Sequence, residues 1–139
     1  MTGYKHLTIA FGILAVGLSI TTMAKADCEV PSSLSQCRMC HELTPGKPDR
    51  ATGPNISHVY DSKAMSESGF SYSPAIKMAS EKGLVWTEEH LFEYLADQHG
   101  FLTKFNGEEL PNKMILQTLK DEERRKNVIA GLKTLKDCK

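Results

Sequence analysis

The sequence predicts an all-α domain made of a few short helices, and three observations carry that expectation. No run among the 139 residues reads as a strand, either by alternation or as a bounded β-branched stretch. Two segments carry helix start signals, Ser73-Pro74 and Thr87-Glu88-Glu89. The C-terminal segment places Val128, Ile129, Leu132 and Leu135 on one stripe at helical spacing. There is no internal repeat, and the length suits one domain.

In chain order, the first segment does not belong to that domain. Lys5 precedes an uncharged apolar run from Leu7 to Ile20, and Ala24-Lys25-Ala26 has the small-x-small form of a cleavage site. Residues 1–26 read as a secretory signal peptide, leaving 27–139 as the folded domain. A membrane anchor fits less well, because the fourteen residues of the run give about 21 Å of helix, short of the roughly 30 Å hydrocarbon core. Lys25-Ala26-Asp27 before Cys28 is too charged for a lipoprotein signal. Losing Lys5 and Lys25 takes Lys and Arg from 17 to 15 against 17 Asp and Glu, a net charge of −2. The balanced charge argues against nucleic acid as a partner.

A short helix is expected from Pro31 to Met39, with Pro31 at its first position. Leu43 to Asn55, with Pro45-Gly46, Pro48 and Gly53-Pro54, must be a loop. The next helix runs from Ser73-Pro74 to Lys82-Gly83, and another from Thr87 to Asp97 with Leu91, Tyr94 and Leu95 on one face. His99 to Pro111, broken by Gly100, Gly107 and Pro111, reads as irregular. The last helix spans about Leu119 to Asp137.

The chemistry lies in Cys37-Arg38-Met39-Cys40-His41. Two thiols about one turn apart with a histidine directly after are the signature of covalent haem c attachment, each thiol bonding a vinyl group and the imidazole binding iron. Thiol–disulfide exchange would call for a preceding strand, which Val30 to Gln36 does not supply. Structural zinc would need a second ligand pair at finger-like spacing. In an oxidising compartment the remaining Cys28 and Cys138 either pair with each other or stay as two free thiols. A loop carbonyl from 43–55 would orient the imidazole through its second ring nitrogen. With so small a domain, haem doubles as core. For the sixth ligand position Met65, Met78 and Met114 are available, and the loop setting of Met114 favours it. His58, His90 and His99 are minor alternatives.

From Ser35 to Leu135 the chain resembles the class I cytochromes c, the group of mitochondrial cytochrome c and its bacterial periplasmic counterparts. The likeness rests on Cys37 to His41, Thr52-Gly53-Pro54-Asn55, Gly69-Phe70-Ser71-Tyr72-Ser73-Pro74-Ala75, Trp86, Leu91-Phe92-Glu93-Tyr94-Leu95, Asn112-Lys113-Met114 and Arg124 to Leu132. It implies the class I cytochrome c fold, with short helices wrapped around one covalently bound haem. By this resemblance His41 is the proximal ligand, Pro54 accepts its ring N–H, and Met114 is the distal ligand. Tyr72 and Trp86 match residues that hydrogen-bond a haem propionate, and Tyr94 stands beside the ligand methionine.

Three departures stand out. Where the family carries glycines and an arginine near the propionates, this chain has His58, Asp61, Ser62 and Met65, with Lys63 or His58 as substitutes for the arginine. The segment from Tyr94 to Met114 is longer than in the mitochondrial form. At the crossing of the first and last helices two aromatic positions match Ser33 and Gly131, which would weaken that crossing by a few kcal/mol. A Cys28–Cys138 disulfide would restore about 2–4 kcal/mol.

The implied function is single-electron carriage in the periplasm between a donor and an acceptor redox protein, by a monomer or in transient complexes, and not enzymatic catalysis. Lys47, Lys63, Lys104 and Lys113 are candidate docking residues, interspersed with Asp61, Glu108 and Glu109. A dedicated electron-transfer subunit of a larger enzyme, with His99–Pro111 as docking element, and a haem protein with an open iron site are the alternatives.

Overall fold

The computed structural model describes residues 28–114 and 118–138; the leader expected at residues 1–26 lies outside them. Among the described residues four α-helices form: α1 (Pro74–Glu81), α2 (Glu88–Ala96), α3 (Gln98–Asn106) and α4 (Glu122–Lys136). Among the described residues no strand forms, and backbone pairing outside helices includes isolated bridges of Arg50 with Gly53 and of Lys63 with Val85.

Each helix starts on a side-chain cap, which satisfies an N–H that has no partner within the helix. Ser73, Thr87, Asp97 and Asp121 accept from the backbone amides of Ile76, His90, Gly100 and Arg124. The α4 cap corrects the sequence expectation of a start near Leu119. That residue instead pairs with α2, its N–H donating to the Leu95 carbonyl at 2.7 Å.

Two further corrections concern backbone form. The segment expected as a helix from Pro31 to Met39 is two 3-10 turns, Ser32–Leu34 and Cys37–Met39. The segment expected as irregular from His99 to Pro111 is largely α3. Asp97 ends α2 and begins α3, and Gly107 closes α3 at φ 76°, in the left-handed region that glycine enters without strain. Phe101 and Leu102 supply its buried face. A Cβ at Gly100 would lie 2.4 Å from Asp97 Oδ2, so a side chain there would push the capping carboxylate aside.

α3 packs on α1 and α2, α2 on α4, and α4 on the first 3-10 turn. Val128, Ile129, Leu132 and Leu135 are buried, as is Leu34 opposite them. At the crossing expected to be weakened, the two small residues meet closely. At Gly131 a Cβ would lie 2.6 Å from Ser33 Oγ and 3.1 Å from Leu34 Cγ. Two small residues let the backbones approach, so the missing rings leave close contact rather than a void. Beside this crossing Cys28 and Cys138 form a disulfide, with Cα atoms 5.7 Å apart across 110 residues of sequence.

The positions where the family carries glycine also show what the chain retains. Asp61 and Met65 adopt φ of 54° and 63°, left-handed values that non-glycine residues rarely take. An ion pair from Asp61 Oδ2 to Lys136 Nζ at 3.1 Å accompanies the first, and backbone bonds frame the segment, from Asp61 N to Trp86 O at 2.9 Å and from Ala64 N to Leu84 O at 2.9 Å.

Replacing both Cys28 and Cys138 with serine should lower the unfolding free energy of the haem-loaded protein by about 2–4 kcal/mol. Guanidinium unfolding would show it as a lower midpoint, and an unchanged midpoint would mean that the bridge adds nothing to the crossing.

Candidate functional site

The 3-10 turn Cys37–Met39 presents the motif. Its backbone closes through Cys40 N and His41 N, both donating to the Cys37 carbonyl at 3.1 and 2.9 Å. Cys37 and Cys40 are free, half-buried thiols. Burial pushes the Cys37 thiol up from its ordinary value, partly offset by its own backbone amide and the Arg124 charge.

His41 is held from one side. Its Nδ1 lies 2.9 Å from the Pro54 carbonyl, so this nitrogen carries the proton and Nε2 keeps its lone pair for a metal. Burial holds the imidazole below its ordinary pKa, against the raising effect of the Pro54 hydrogen bond. Gly53 sits directly on the ring: a Cβ there would lie 2.7 Å from both His41 Cε1 and Nδ1 and 2.9 Å from the Cys40 carbonyl. Thr52 Oγ1 donates to that same carbonyl at 2.8 Å.

The loop beneath is tied by Asn55, a residue the sequence marks only as part of a motif. Its Nδ2 donates to the Thr44 and Lys47 carbonyls at 2.9 and 2.8 Å, its Oδ1 accepts from Ser57 N at 2.9 Å, and its own N–H reaches Asp49 Oδ1 at 2.7 Å. Glu42 caps the loop's entrance, accepting from Leu43 N and Thr44 N at 3.0 Å each. Those amides, together with the Arg50 charge, lower its pKa to about 2.

Met114 forms the other half. It is half-buried, at the edge of a cleft of about 550 Å³ lined also by Asp97, His99, Glu109, Leu110 and Pro111. The Tyr94 hydroxyl donates to its Sδ at 3.3 Å. Tyr94 is buried at 7% exposure, and its pKa is pushed up to about 12, so the phenol keeps its proton at neutral pH. Behind it Trp86 packs with its ring 4.8 Å from Tyr94 and 6.3 Å from Phe101. The loop before Met114 is tied to the start of α1: Ala75 N donates to the Pro111 carbonyl at 3.2 Å, and Lys113 Nζ to the Ser71 carbonyl at 2.7 Å. On its far side Arg125 lies over Phe92 and donates to the Leu119 and Lys120 carbonyls at 2.6 and 3.0 Å.

The structure thus brings His41 to Pro54, and Met114 to Tyr94 and Trp86. Tyr72 packs its ring against Phe70 at 5.0 Å, and burial pushes its hydroxyl pKa up. Met65 is exposed and Met78 lies on α1. Of the docking candidates, Lys104 pairs with Glu93 at 3.6 Å and Lys113 is committed to Ser71. His99 pairs with Glu109 at 3.4 Å.

Two free thiols on one turn, an imidazole with one nitrogen committed to a carbonyl, and a thioether in a partly apolar cleft fit a covalently attached haem. Cys37 and Cys40 would hold its edge, and His41 and Met114 its iron. The helical fold and this donor set define a class I c-type cytochrome.

No family model matches the chain. It is 40% identical over 108 residues to cytochrome c2 of Rhodopseudomonas palustris, a match that takes in 73% of this chain and 90% of the relative. Cytochrome c2 of Rhodospirillum rubrum is 33% identical over 134 residues, 90% of this chain and 98% of the relative. The solved structure of cytochrome c2 from Rhodospirillum centenum superposes with a TM-score of 0.67 at 33% identity, covering 74% of this chain and 92% of its own. The chain belongs to the cytochrome c2 family of class I c-type cytochromes. It is a monohaem electron-carrier cytochrome, with one haem c covalently attached.

Gly53→Ala should press on the His41 ring and cost about 1–3 kcal/mol of stability, the usual range for overpacking. Thermal unfolding of the haem-loaded variant reads it, and a wild-type transition would show that the ring yields freely. For Glu42, the depressed carboxyl pKa means that its stabilisation is present above the ordinary value of 4.5 and is lost as pH falls toward about 2. Acid titrations of wild type and Glu42→Gln should therefore diverge at neutral pH and converge near pH 2.

Proposed function

We propose that this cytochrome carries single electrons through a haem attached at Cys37 and Cys40 and ligated by His41 and Met114, as an exported periplasmic protein freed of residues 1–26. The observation that carries the reading is the pair of individually anchored donors: an imidazole held at 2.9 Å by Pro54 and a thioether held at 3.3 Å by Tyr94. When bound, haem c supplies a reversible one-electron couple.

The protein's part is to hold both donors still. The Pro54 carbonyl and Gly53 prevent the His41 ring from turning, and Tyr94 and the Pro111–Ala75 tie keep the thioether in place, so a change of oxidation state asks for little rearrangement. A thioether in an apolar pocket favours the ferrous form and raises the potential. Trp86, Tyr94 and Phe101 are buried in the core against which Met114 packs.

Export is supported by the charged start, apolar run and Ala24-Lys25-Ala26 site, and by the Cys28–Cys138 disulfide, which belongs to an oxidising compartment. Among the described residues no helix is long and apolar enough to cross a membrane. The partners are a redox donor and acceptor, met through the surface around the haem edge.

The ferric protein should show the weak long-wavelength sulfur-to-iron band, and Met114→Ala should abolish it and let the ferrous protein bind carbon monoxide. A wild-type spectrum without the band, or carbon monoxide binding by wild type at neutral pH, would refute His/Met ligation.

A further inference from the structure

Asn106 ends α3 and is buried at 2% exposure, an unusual place for an amide, since a buried polar group costs free energy unless it is hydrogen-bonded. Its bonds are few and specific. Nδ2 donates to the Ala75 carbonyl in the first turn of α1 at 3.0 Å, and the Asn106 backbone carbonyl accepts from Lys82 Nζ at the far end of that helix. A carbonyl can only accept, so the NH₂ end of the amide must face Ala75. The Oδ1 end is buried without a hydrogen-bond partner among the described residues. An apolar side chain would carry no such penalty, so what asparagine supplies here and leucine could not is the bond to Ala75.

That bond matters because of what else Ala75 holds. The Ala75 N–H donates to the Pro111 carbonyl at 3.2 Å, so one residue of α1 grips both ends of the stretch from Asn106 to Pro111. Between the two pins the chain has little burial of its own. Gly107, with φ 76°, Glu108 and Glu109 are exposed, and Leu110 is half-buried. Met114 follows three residues after Pro111. The start of the Met114 loop is therefore set by α1, and Asn106 in turn fixes α3 against both ends of α1.

We propose that Asn106 is a positioning residue for electron carriage: by pinning the end of α3 to Ala75 it closes the loop that presents Met114 and keeps the thioether in place as a ligand. The inference rests on the reading of Met114 as the distal ligand. Without the amide, the stretch 106–111 keeps only its Pro111 pin, and the loop opens more often. An outside ligand reaches the iron only in the open form, so its apparent affinity rises with the population of that form.

Imidazole is the probe, titrated into four ferric, haem-loaded proteins: wild type, Asn106→Leu, Met114→Ala and the double variant. Leucine has the branched shape of asparagine and none of its side-chain hydrogen bonds. Asn106→Leu should bind imidazole severalfold more tightly than wild type. Met114→Ala should bind it more tightly still, and adding Asn106→Leu to it should change nothing, because the loop then has no thioether to present. An unchanged affinity in Asn106→Leu, or the same gain in the Met114→Ala background, overturns the proposal. The Cys28→Ser/Cys138→Ser protein, loosened at the crossing of α4 with the first 3-10 turn, is the reference for a merely structural role: an equal gain there overturns the proposal as well. Should Asn106→Leu fail to load haem, Asn106→Ala carries the same comparison. The sulfur-to-iron band of the ferric wild type separates the two readings. Its absence overturns the ligand reading and this inference together, whereas its presence with an imidazole affinity unmoved by Asn106→Leu overturns only the inference.

Discussion

The Pro54 carbonyl against His41 Nδ1, at 2.9 Å, is the constraint on which the rest of the structure depends. It can form only because Gly53 has no side chain to collide with the ring. Its position in turn requires a loop stiff enough to keep a carbonyl on target, which explains the density of bonds around Asn55, the Glu42 cap and the Thr52 hydroxyl. A loop without regular secondary structure is thereby made rigid enough to serve a metal ligand.

The methionine side is built on the opposite plan. There Met114 hangs from a segment fixed at several separate points, on α1 through Ala75, on α2 through Tyr94 and Leu95, and on α4 through Arg125. The longer segment before Met114 folds as α3 and packs Phe101 and Leu102 into the core beside α1 and α2. Extra chain has become extra support.

Much of this was legible in the residues themselves. Cys37 to His41 names its chemistry by spacing, and Ser73 and Thr87 mark helix starts because their side chains do what backbone amides at a helix N-terminus require. α3 was hidden because Gly100 and Gly107 look like breakers. Gly107 is the cap, and Gly100 makes room for a carboxylate that cannot be seen until Asp97 is known to end one helix and start the next. The close Ser33–Gly131 contact was illegible for a related reason: a missing ring in a sequence does not show whether the backbones will move in. Nor does Met65 betray its left-handed backbone, since nothing in that residue type asks for that conformation, and Asp61 is only a weak signal, aspartate being among the few non-glycine residues enriched there.

The disulfide between Cys28 and Cys138 turns the polypeptide between them into a covalent ring. A single proteolytic cut anywhere inside that ring leaves one molecule, with both pieces still joined. Were the cut to fall between His41 and Met114, the half with the imidazole and the half with the thioether would stay tethered and could come back together as neighbours rather than as diffusing fragments. The ring makes the site's two halves inseparable by any one break in the backbone.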